Sequence, residues 1–209
     1  MKKTLLFLSV GMATFLAQSA SAQATLVDSW ENSAEGWGMI SANWTSGGYS
    51  TTTGVTQGTY SWILNAGTNP DYGGAIGGTA STALTALLAN AASVSVDVYA
   101  SGGFGGYLQF DLTLNGGGLG YTSVDGYGYS QSANLGGEKT LTFTIPSAMR
   151  TTLAANLGTA TSLNYQIGGG GGGTIYLDNL TITAVPEPST LALAGVAAAG
   201  LLSIRRRKA

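Results

Sequence analysis

The 209-residue sequence contains neither cysteine nor histidine. Without cysteine there is no disulfide framework and no thiolate chemistry. Without histidine, the Ser-His-Asp and Cys-His arrangements, histidine-ligated zinc and imidazole acid–base catalysis are all excluded, because each needs a group that titrates near neutral pH. These two absences remove the commonest types of enzymatic site.

Positive charge is scarce in the middle of the chain. Between residues 23 and 184, only Lys139 and Arg150 stand against nine acidic residues. The other basic residues are Lys2, Lys3 and the run 205–208. A nucleic-acid partner requires a basic surface, so this distribution of charge argues against nucleic-acid binding.

Glycine, in contrast, is abundant. The chain has 33 glycines, well above the average usage of about 7%, and all but three lie between residues 23 and 184. Together with frequent serine and threonine, they favour short strands joined by tight turns.

Apolar and polar residues alternate with a period of two in at least five segments. In Ser93–Tyr99 the valines Val94, Val96 and Val98 occupy one face. The same alternation occurs in Tyr107–Leu114, Thr140–Ile145, Leu163–Ile167 and Tyr60–Leu64. It is typical of antiparallel sheets with one solvated face. The sequence therefore predicts an all-β fold, an antiparallel sandwich of two sheets.

The segment Thr174–Thr183 departs from this alternation. Ile175 and Leu177 share one phase, whereas Leu180 and Ile182 share the other. A β-bulge near Asp178-Asn179 would reconcile them. The only helix candidates are 81–90 and 147–156, each with a serine suited to cap its start.

The first 22 residues have the features of a secretory signal peptide. Lys2-Lys3 precede an apolar stretch, and Ala20-Ser21-Ala22 forms a small-residue cleavage site. We expect a signal helix over 1–22, cleavage after Ala22, and a β-sandwich domain over 23–184.

Residues 185–209 form a distinct tail. The two prolines at its start disfavour a regular helix and favour an extended segment over Val185, Pro186, Glu187 and Pro188. The apolar run Leu191–Ile204 would be about 21 Å long as a helix, against about 30 Å of bilayer hydrocarbon. This predicts one short transmembrane helix, with Arg205, Arg206, Arg207 and Lys208 on the cytoplasmic side.

This order of features resembles the PEP-CTERM sorting signal. The resemblance implies recognition by an exosortase, a membrane-bound transpeptidase-like protease, which removes the tail near the Pro-Glu-Pro motif. It also implies export through the inner membrane, anchoring in the membrane by the C-terminal helix before processing, and delivery to the cell surface or the extracellular biofilm matrix of a Gram-negative bacterium that makes exopolysaccharide.

Short motifs at both ends of the predicted domain are also informative. They are Trp30-Glu31, Glu35-Gly36-Trp37, the stretch 54–61 and Tyr176-Leu177-Asp178-Asn179-Leu180. They resemble the jelly-roll, galactose-binding-like modules found among carbohydrate-binding domains. The resemblance implies a structural calcium ion with Glu31 and Asp178 as ligands, completed by backbone carbonyl oxygens, with Asp28 as a further candidate. The alternative is that these carboxylates cap turns or accept backbone hydrogen bonds.

A sugar site needs aromatic faces and planar polar groups. We expect the alternating segments Ser93–Tyr99 and Tyr107–Leu114 to be neighbouring strands. Their solvent-facing sides carry Asp97, Tyr99, Tyr107, Gln109 and Asp111. Aromatic residues in loop-rich segments could rim the same surface: Trp44, Tyr49, Tyr121, Tyr127 and Tyr129. Trp30, Trp37 and Trp62 are expected in the core.

Catalysis is not expected. Asp97 and Asp111 share a predicted face, and a glycosidase needs two such carboxyls about 5–10 Å apart, but no built site surrounds them. The sequence thus favours a secreted, non-catalytic surface or matrix protein that contacts polysaccharide. The alternatives are a purely structural or adhesive matrix protein without a ligand site and, third, a small glycan-active enzyme.

Overall fold

The computed structural model describes residues 23–41, 43–67, 74–104, 108–125, 131–133, 135–169 and 172–186. The predicted signal helix and transmembrane helix lie outside the described residues. Residues Ala24–Ala184 form one compact unit. Within the described ranges, no helix is long and apolar enough to cross a membrane.

The fold is almost entirely β-structure, as the alternation predicts. In chain order the elements are β1 (Ala24–Asp28), β2 (Gly38–Met39), β3 (Trp44–Ser50), β4 (Ser61–Ala66), β5 (Gly74–Gly77), α1 (Thr82–Ala89), β6 (Ala91–Ala100), β7 (Leu108–Gly116), β8 (Tyr121–Ser123), β9 (Gln131–Ser132), β10 (Gly137–Thr144), α2 (Ser147–Ala154), β11 (Thr161–Gly169) and β12 (Thr174–Ala184).

The strands form two antiparallel sheets. In the first sheet the order is β10-β6-β12-β4-β3, and β1 also pairs with β12. In the second sheet the order is β2-β5-β11-β7-β8, and β9 also pairs with β7. The predicted two-sheet antiparallel sandwich is therefore confirmed.

Strand β12 is the centre of the first sheet because it is paired along both edges. On one edge it pairs with β6 throughout its length. On the other edge it pairs first with β4 and then, past Asp178, with β1. The register with β6 shifts between Asp178 and Thr181, and Asn179 has a φ of 52°. This bulge is the one that the loss of alternation predicts, and it returns Leu180 and Ile182 to the core side.

The core lies between the sheets and is rich in aromatic rings. The valines of β6 and the leucines of β7 are completely buried, which confirms the predicted inward faces. Trp30 packs between Trp37 and Trp62, at centroid distances of 5.6 and 5.9 Å. Tyr165 stacks on Trp37 at 5.8 Å. The predicted core role of the three tryptophans is confirmed.

Both helices cap the same end of the sandwich. The hydroxyl of Ser81 accepts a hydrogen bond from the Leu84 amide at 3.0 Å and so caps α1, as predicted, whereas α2 begins after Pro146 without a side-chain cap. The hydroxyl of Thr85 on α1 donates to the Thr159 carbonyl oxygen at 2.7 Å, which ties α1 to the segment that follows α2. Strand β12 ends here too, because Ala184 pairs with Ala91 at the start of β6.

The buried hydroxyl of Tyr165 leads to a prediction about the stability of the core. It is fully buried and has no hydrogen-bond partner among the described residues, so the folded state loses its hydration without compensation. We expect Tyr165→Phe to raise the free energy of unfolding by about 1 kcal/mol and the melting temperature by about 2–4 °C. Calorimetry on both proteins measures this, with Tyr121→Phe on the surface as the control. A lower melting temperature for Tyr165→Phe would show that the hydroxyl has a partner.

Candidate functional site

The carboxylate of Asp178 anchors the loop that joins β3 to β4. One oxygen, Oδ2, accepts hydrogen bonds from the amides of Thr56 and Gln57 at 2.6 and 2.7 Å. The other, Oδ1, accepts from the Asn179 amide at 2.7 Å. Burial raises the pKa of Asp178, and the hydrogen bonds from Gln57, Thr56 and Asn179 oppose the rise. The bulge in β12 thus serves to aim a carboxylate at a distant loop.

Asp97 belongs to the same network. It lies opposite Asp178 on the neighbouring strand β6. Its carboxylate accepts from the Thr56 hydroxyl at 2.7 Å, from the Asn179 side-chain amide at 2.9 Å and from the Thr140 hydroxyl at 2.6 Å. Three polar side chains therefore satisfy Asp97, which is buried on the outer side of the first sheet.

Tyr99 follows Asp97 on that outer side and is partly covered. Its ring packs edge-on against Tyr176 at 5.7 Å. Gly54 lies directly over this pair, since a Cβ there would come within 2.5 Å of the Tyr176 Cβ and 3.2 Å of the Tyr99 Cβ. The loop packs on the part of the sheet where the sequence suggested a sugar platform.

The residues implied as calcium ligands do not fit a calcium clamp in this arrangement. A carboxylate has about four lone-pair sites, and amide hydrogen bonds from Thr56, Gln57 and Asn179 occupy three of those of Asp178. Both oxygens of Glu31 accept from the Thr59 amide, at 2.9 and 3.0 Å. No group of three acidic side chains that could hold a metal ion occurs in the described part of the chain. The carboxylates meet N–H donors, which is the alternative that the sequence left open.

Asp28 has a separate role. Its carboxylate accepts a hydrogen bond from the Trp37 indole at 2.9 Å. Burial raises the pKa of Asp28, the indole hydrogen bond opposes the rise, and the charge of Glu35 adds to it. Glu35 itself accepts from the amides of Ser29 and Glu31 at 2.9 and 3.1 Å.

The outer face of the second sheet carries a different set of polar side chains. The inward leucines of β7 place Gln109, Asp111 and Thr113 on the outside, and the same alternation on β11 places Ser162, Asn164 and Gln166 there. In the register of the two strands, Asp111 lies opposite Gln166, and Thr113 lies opposite Asn164. Amide and carboxyl groups thus occur side by side on this face.

Tyr121 lies along this face. It is 53% exposed, and its hydroxyl accepts a hydrogen bond from the Gln166 side-chain amide at 2.9 Å. Tyr121 is paired with Asn115 on β7, while Gln166 is paired with Asp111, so the hydrogen bond runs diagonally across β7. The ring is therefore held along the sheet, with much of its surface open to solvent.

Asp111 is the titratable group of this face. It is 2% exposed, and the Ser123 hydroxyl donates to it at 2.7 Å. Burial raises the pKa of Asp111 to about 6, the Ser123 hydrogen bond opposes the rise, and the charge of Asp125 adds to it. A carboxyl with this pKa changes its charge just below neutral pH.

The structure divides the predicted ligand-binding residues between two surfaces. Asp97 and Tyr99 lie on the outer side of the first sheet, and Gln109 and Asp111 lie on the outer side of the second. The expectation that β6 and β7 are neighbours is wrong, because the connection between them crosses from one sheet to the other. Asp97 and Asp111 consequently do not share a face. Tyr107, Tyr127 and Tyr129 lie outside the described residues.

Two further expectations change. Trp44, expected in a loop, is buried at the start of β3. Asn164 and Gln166 were not among the residues predicted for the outer face. Their alternation with the buried Leu163, Tyr165 and Ile167 could have placed them there. The part of the chain that follows Pro186, including Glu187 and Arg205, is outside the described residues.

The Asp178 network gives a first prediction. Asp178→Ala leaves three amides without their acceptor, so we expect it to lower the free energy of unfolding by about 3 kcal/mol. The exposed acid variant Glu138→Ala is the matched control and should change little. Thermal unfolding with and without a calcium chelator completes the test. Because the carboxylates accept hydrogen bonds from N–H groups, we expect the chelator to leave the melting temperature unchanged. A large fall in the melting temperature on addition of the chelator would instead support a structural calcium ion.

Asp111 gives a prediction about pH. Because the pKa of Asp111 is raised in the folded state, the folded protein binds more protons than the unfolded chain between about pH 4 and 6. Protonation of Asp111 therefore stabilises the folded state at low pH. This stabilisation is lost as the pH rises through about 6. Asp111→Asn removes the charge and keeps an acceptor for Ser123. Its stability relative to wild type should therefore be higher at pH 8 than at pH 5, by about 1 kcal/mol or less after allowance for solvent screening. Melting curves across this range decide the point, and a difference independent of pH would contradict the prediction.

Solved structures with a similar fold include several carbohydrate-binding modules. The C-terminal family 22 carbohydrate-binding module of Clostridium thermocellum Xyn10B has 17% identity and a TM-score of 0.50, over 81% of this chain and 95% of that one. An exo-β-agarase structure has 10% identity and a TM-score of 0.55, over 77% of this chain and 25% of that one. At these identities the likeness shows the fold. No curated protein matches the chain at a significant level.

The tail matches a family model. Residues 184–208 match the PEP-CTERM protein-sorting motif, which indicates a protein that is exported and anchored in the membrane before processing. The match begins at Ala184, the last residue of β12, so the motif follows the final strand directly. The chain therefore combines a two-sheet β-sandwich, similar in fold to a solved carbohydrate-binding module, with a PEP-CTERM sorting motif at residues 184–208.

Proposed function

We propose that this protein is a secreted, non-catalytic polysaccharide-binding protein, and that it binds through the outer face of the second sheet. The observation that carries the proposal is the Tyr121 ring, held along that face by Gln166. This surface has the two components that a sugar site needs, an accessible aromatic ring and planar polar groups beside it.

Accessibility favours this face over the first sheet. Tyr121 is exposed, and Gln109 and Gln166 are partly exposed. On the first sheet, in contrast, Asp97 is engaged by three side-chain donors, and Tyr99 lies under Gly54. Of the two halves of the predicted site, the one on the second sheet is proposed to bind, through the exposed Tyr121 and the partly exposed Gln109 and Gln166, while Asp111 is buried beneath them.

The arrangement suggests how a glycan would be held. A pyranose ring would stack on the open side of Tyr121, while the amides of Gln166 and Gln109 exchange hydrogen bonds with sugar hydroxyls. Beside β11 the neighbouring strand β5 presents small residues, with Gly77 opposite Asn164 and Ala75 opposite Gln166. A side chain at Gly77 would collide with Asn164 and Ile40, so glycine at this position lets the Asn164 side chain pack on the sheet.

The proposal excludes hydrolysis by the carboxyl pair that the sequence offered. Asp97 and Asp111 lie on opposite outer faces of the sandwich, whereas glycoside hydrolysis needs two carboxyls about 5–10 Å apart around one bond. The similar Xyn10B structure, 95% of whose own chain is covered in the comparison, is a binding module and supports a non-catalytic role.

Sorting places this binding domain outside the cell. In this proposal the PEP-CTERM tail, with Glu187 and its flanking prolines as recognition residues, is recognised by an exosortase and cleaved. The sandwich is then released to the surface or matrix of a Gram-negative bacterium, where it contacts exopolysaccharide. Mass spectrometry of the released protein should find a new C-terminus near Pro186–Pro188.

The binding face can be tested with a glycan array on the secreted domain, residues 23–184. We expect Tyr121→Ala to weaken binding about 10-fold, which is about 1.4 kcal/mol, because the stacking surface is removed. Tyr121→Phe keeps the ring and should retain most of the affinity.

Tyr99→Ala is the matched control, since it removes a tyrosine from the opposite face. Equal losses for Tyr99→Ala and Tyr121→Ala would reject the assignment to the second sheet. Absence of binding to every glycan, neutral or acidic, would favour the purely structural or adhesive alternative.

A further inference from the structure

A second surface of the domain is apolar and lies where β12 ends. Here α1 and the ends of β1 and β12 enclose an open groove of about 490 Å³. Its walls are almost wholly aliphatic, with Ala83, Ala86 and Leu87 from α1 and Ile182 and Ala184 from β12. Leu87 is 39% exposed at its edge. Nothing in the proposed glycan function uses this groove.

The same end of the sandwich differs in charge from the rest. Neither α1 nor α2 contains an acidic residue, and Arg150 on α2 is the only charged side chain of the two helices. The domain as a whole is acidic, with nine acidic residues between 23 and 184 against Lys139 and Arg150. Asp28 and Glu35 line a smaller cavity that shares Ala83 and Leu87, and both accept hydrogen bonds there from Trp37, Ser29 and Glu31.

The length of chain after β12 limits how far this end can lie from a membrane. Only six residues, 185–190, separate Ala184 from the apolar run that starts at Leu191. Fully extended, they span about 20 Å. The apolar run is also short, at about 21 Å against about 30 Å of hydrocarbon, and a span that is too short draws its flanking residues toward the bilayer.

We infer that the end of the sandwich formed by α1, α2 and the last residues of β12 docks on the lipid bilayer while the sorting tail is intact. Leu87 and the groove beside it enter the interface between headgroups and acyl chains, as the apolar faces of interfacial helices do. The two helices bring no acidic side chain of their own to the lipid surface. The adjacent Asp28 and Glu35 carboxylates accept hydrogen bonds from Trp37, Ser29 and Glu31, so docking rests on the apolar groove. The docked domain holds the Pro-Glu-Pro segment close to the membrane, where a membrane-bound protease acts.

The chain has no native cysteine, so single-cysteine labelling tests this inference. Leu87→Cys and Leu135→Cys are a matched pair, because the two leucines are 39% and 38% exposed. Leu135 lies against Ala100, at the opposite end of β6 from Ala91. The full-length variants carry a polarity-sensitive fluorophore and are reconstituted into vesicles of phosphatidylcholine and phosphatidylglycerol that contain a shallow spin-labelled lipid quencher.

We expect a blue-shifted emission at position 87 and about twofold or more stronger quenching than at position 135. Ala86→Cys, another exposed position of the groove, should behave like Leu87→Cys and guards against a local effect of one substitution. Equal quenching at positions 87 and 135 would overturn the inference.

Release of the labelled domain from its tail separates the bilayer from other occupants. Once the chain is cut after Pro186 and the vesicles are removed, the emission at position 87 should return to that of a water-exposed label. Emission that stays blue-shifted without lipid would show that a second copy or the domain itself covers the groove, and would reject the bilayer as its occupant. Glycan binding plays no part in these readouts.

Discussion

The structure depends on the pairing of β12 along both of its edges. A strand that pairs with β6 on one side and with β4 and then β1 on the other must change partner partway along its length. The bulge at Asp178 and Asn179 makes this change possible, because the extra residue shifts the register while the apolar side chains on either side stay in the core. The first strand of the domain is thereby joined to the last, which lies in the middle of the sheet.

The same bulge organises the polar chemistry of the first sheet. It turns the Asp178 carboxylate toward the amides of Thr56 and Gln57, while Asn179 donates to Asp97. The loop between β3 and β4, which has two glycines, is held in place by charge-assisted hydrogen bonds. The loop covers part of the first sheet, whereas Tyr121 beside the second sheet stays exposed, and the glycan site is proposed there.

The proposed glycan-binding face and the proposed membrane-docking groove lie on different parts of the domain. The proposed glycan face runs over β7 and β11, whereas the groove beside α1 lies at the end where β12 passes into the sorting motif. A protein held at the membrane by that end can present the face of its second sheet to polymer before and after its tail is removed. Burial of Asp111 raises its pKa to about 6, so a change of pH near 6 alters the charge of the proposed glycan face. The residues that line the groove do not titrate.

The sequence by itself determined the class of fold, the bulge in the last strand, the helix cap at Ser81 and the sorting motif, because each rests on local spacing or on short-range order along the chain. It identified Gln109 and Asp111 as outward-facing, since alternation fixes the face of a strand. Only the tertiary structure decided which strands are neighbours, because the choice between sheets depends on long-range packing and leaves no mark on the periodicity of either strand. Asp97 and Asp111 have the same local pattern and lie on opposite sides of the molecule, and the partners of Asp178 are supplied by a loop more than a hundred residues away in the chain.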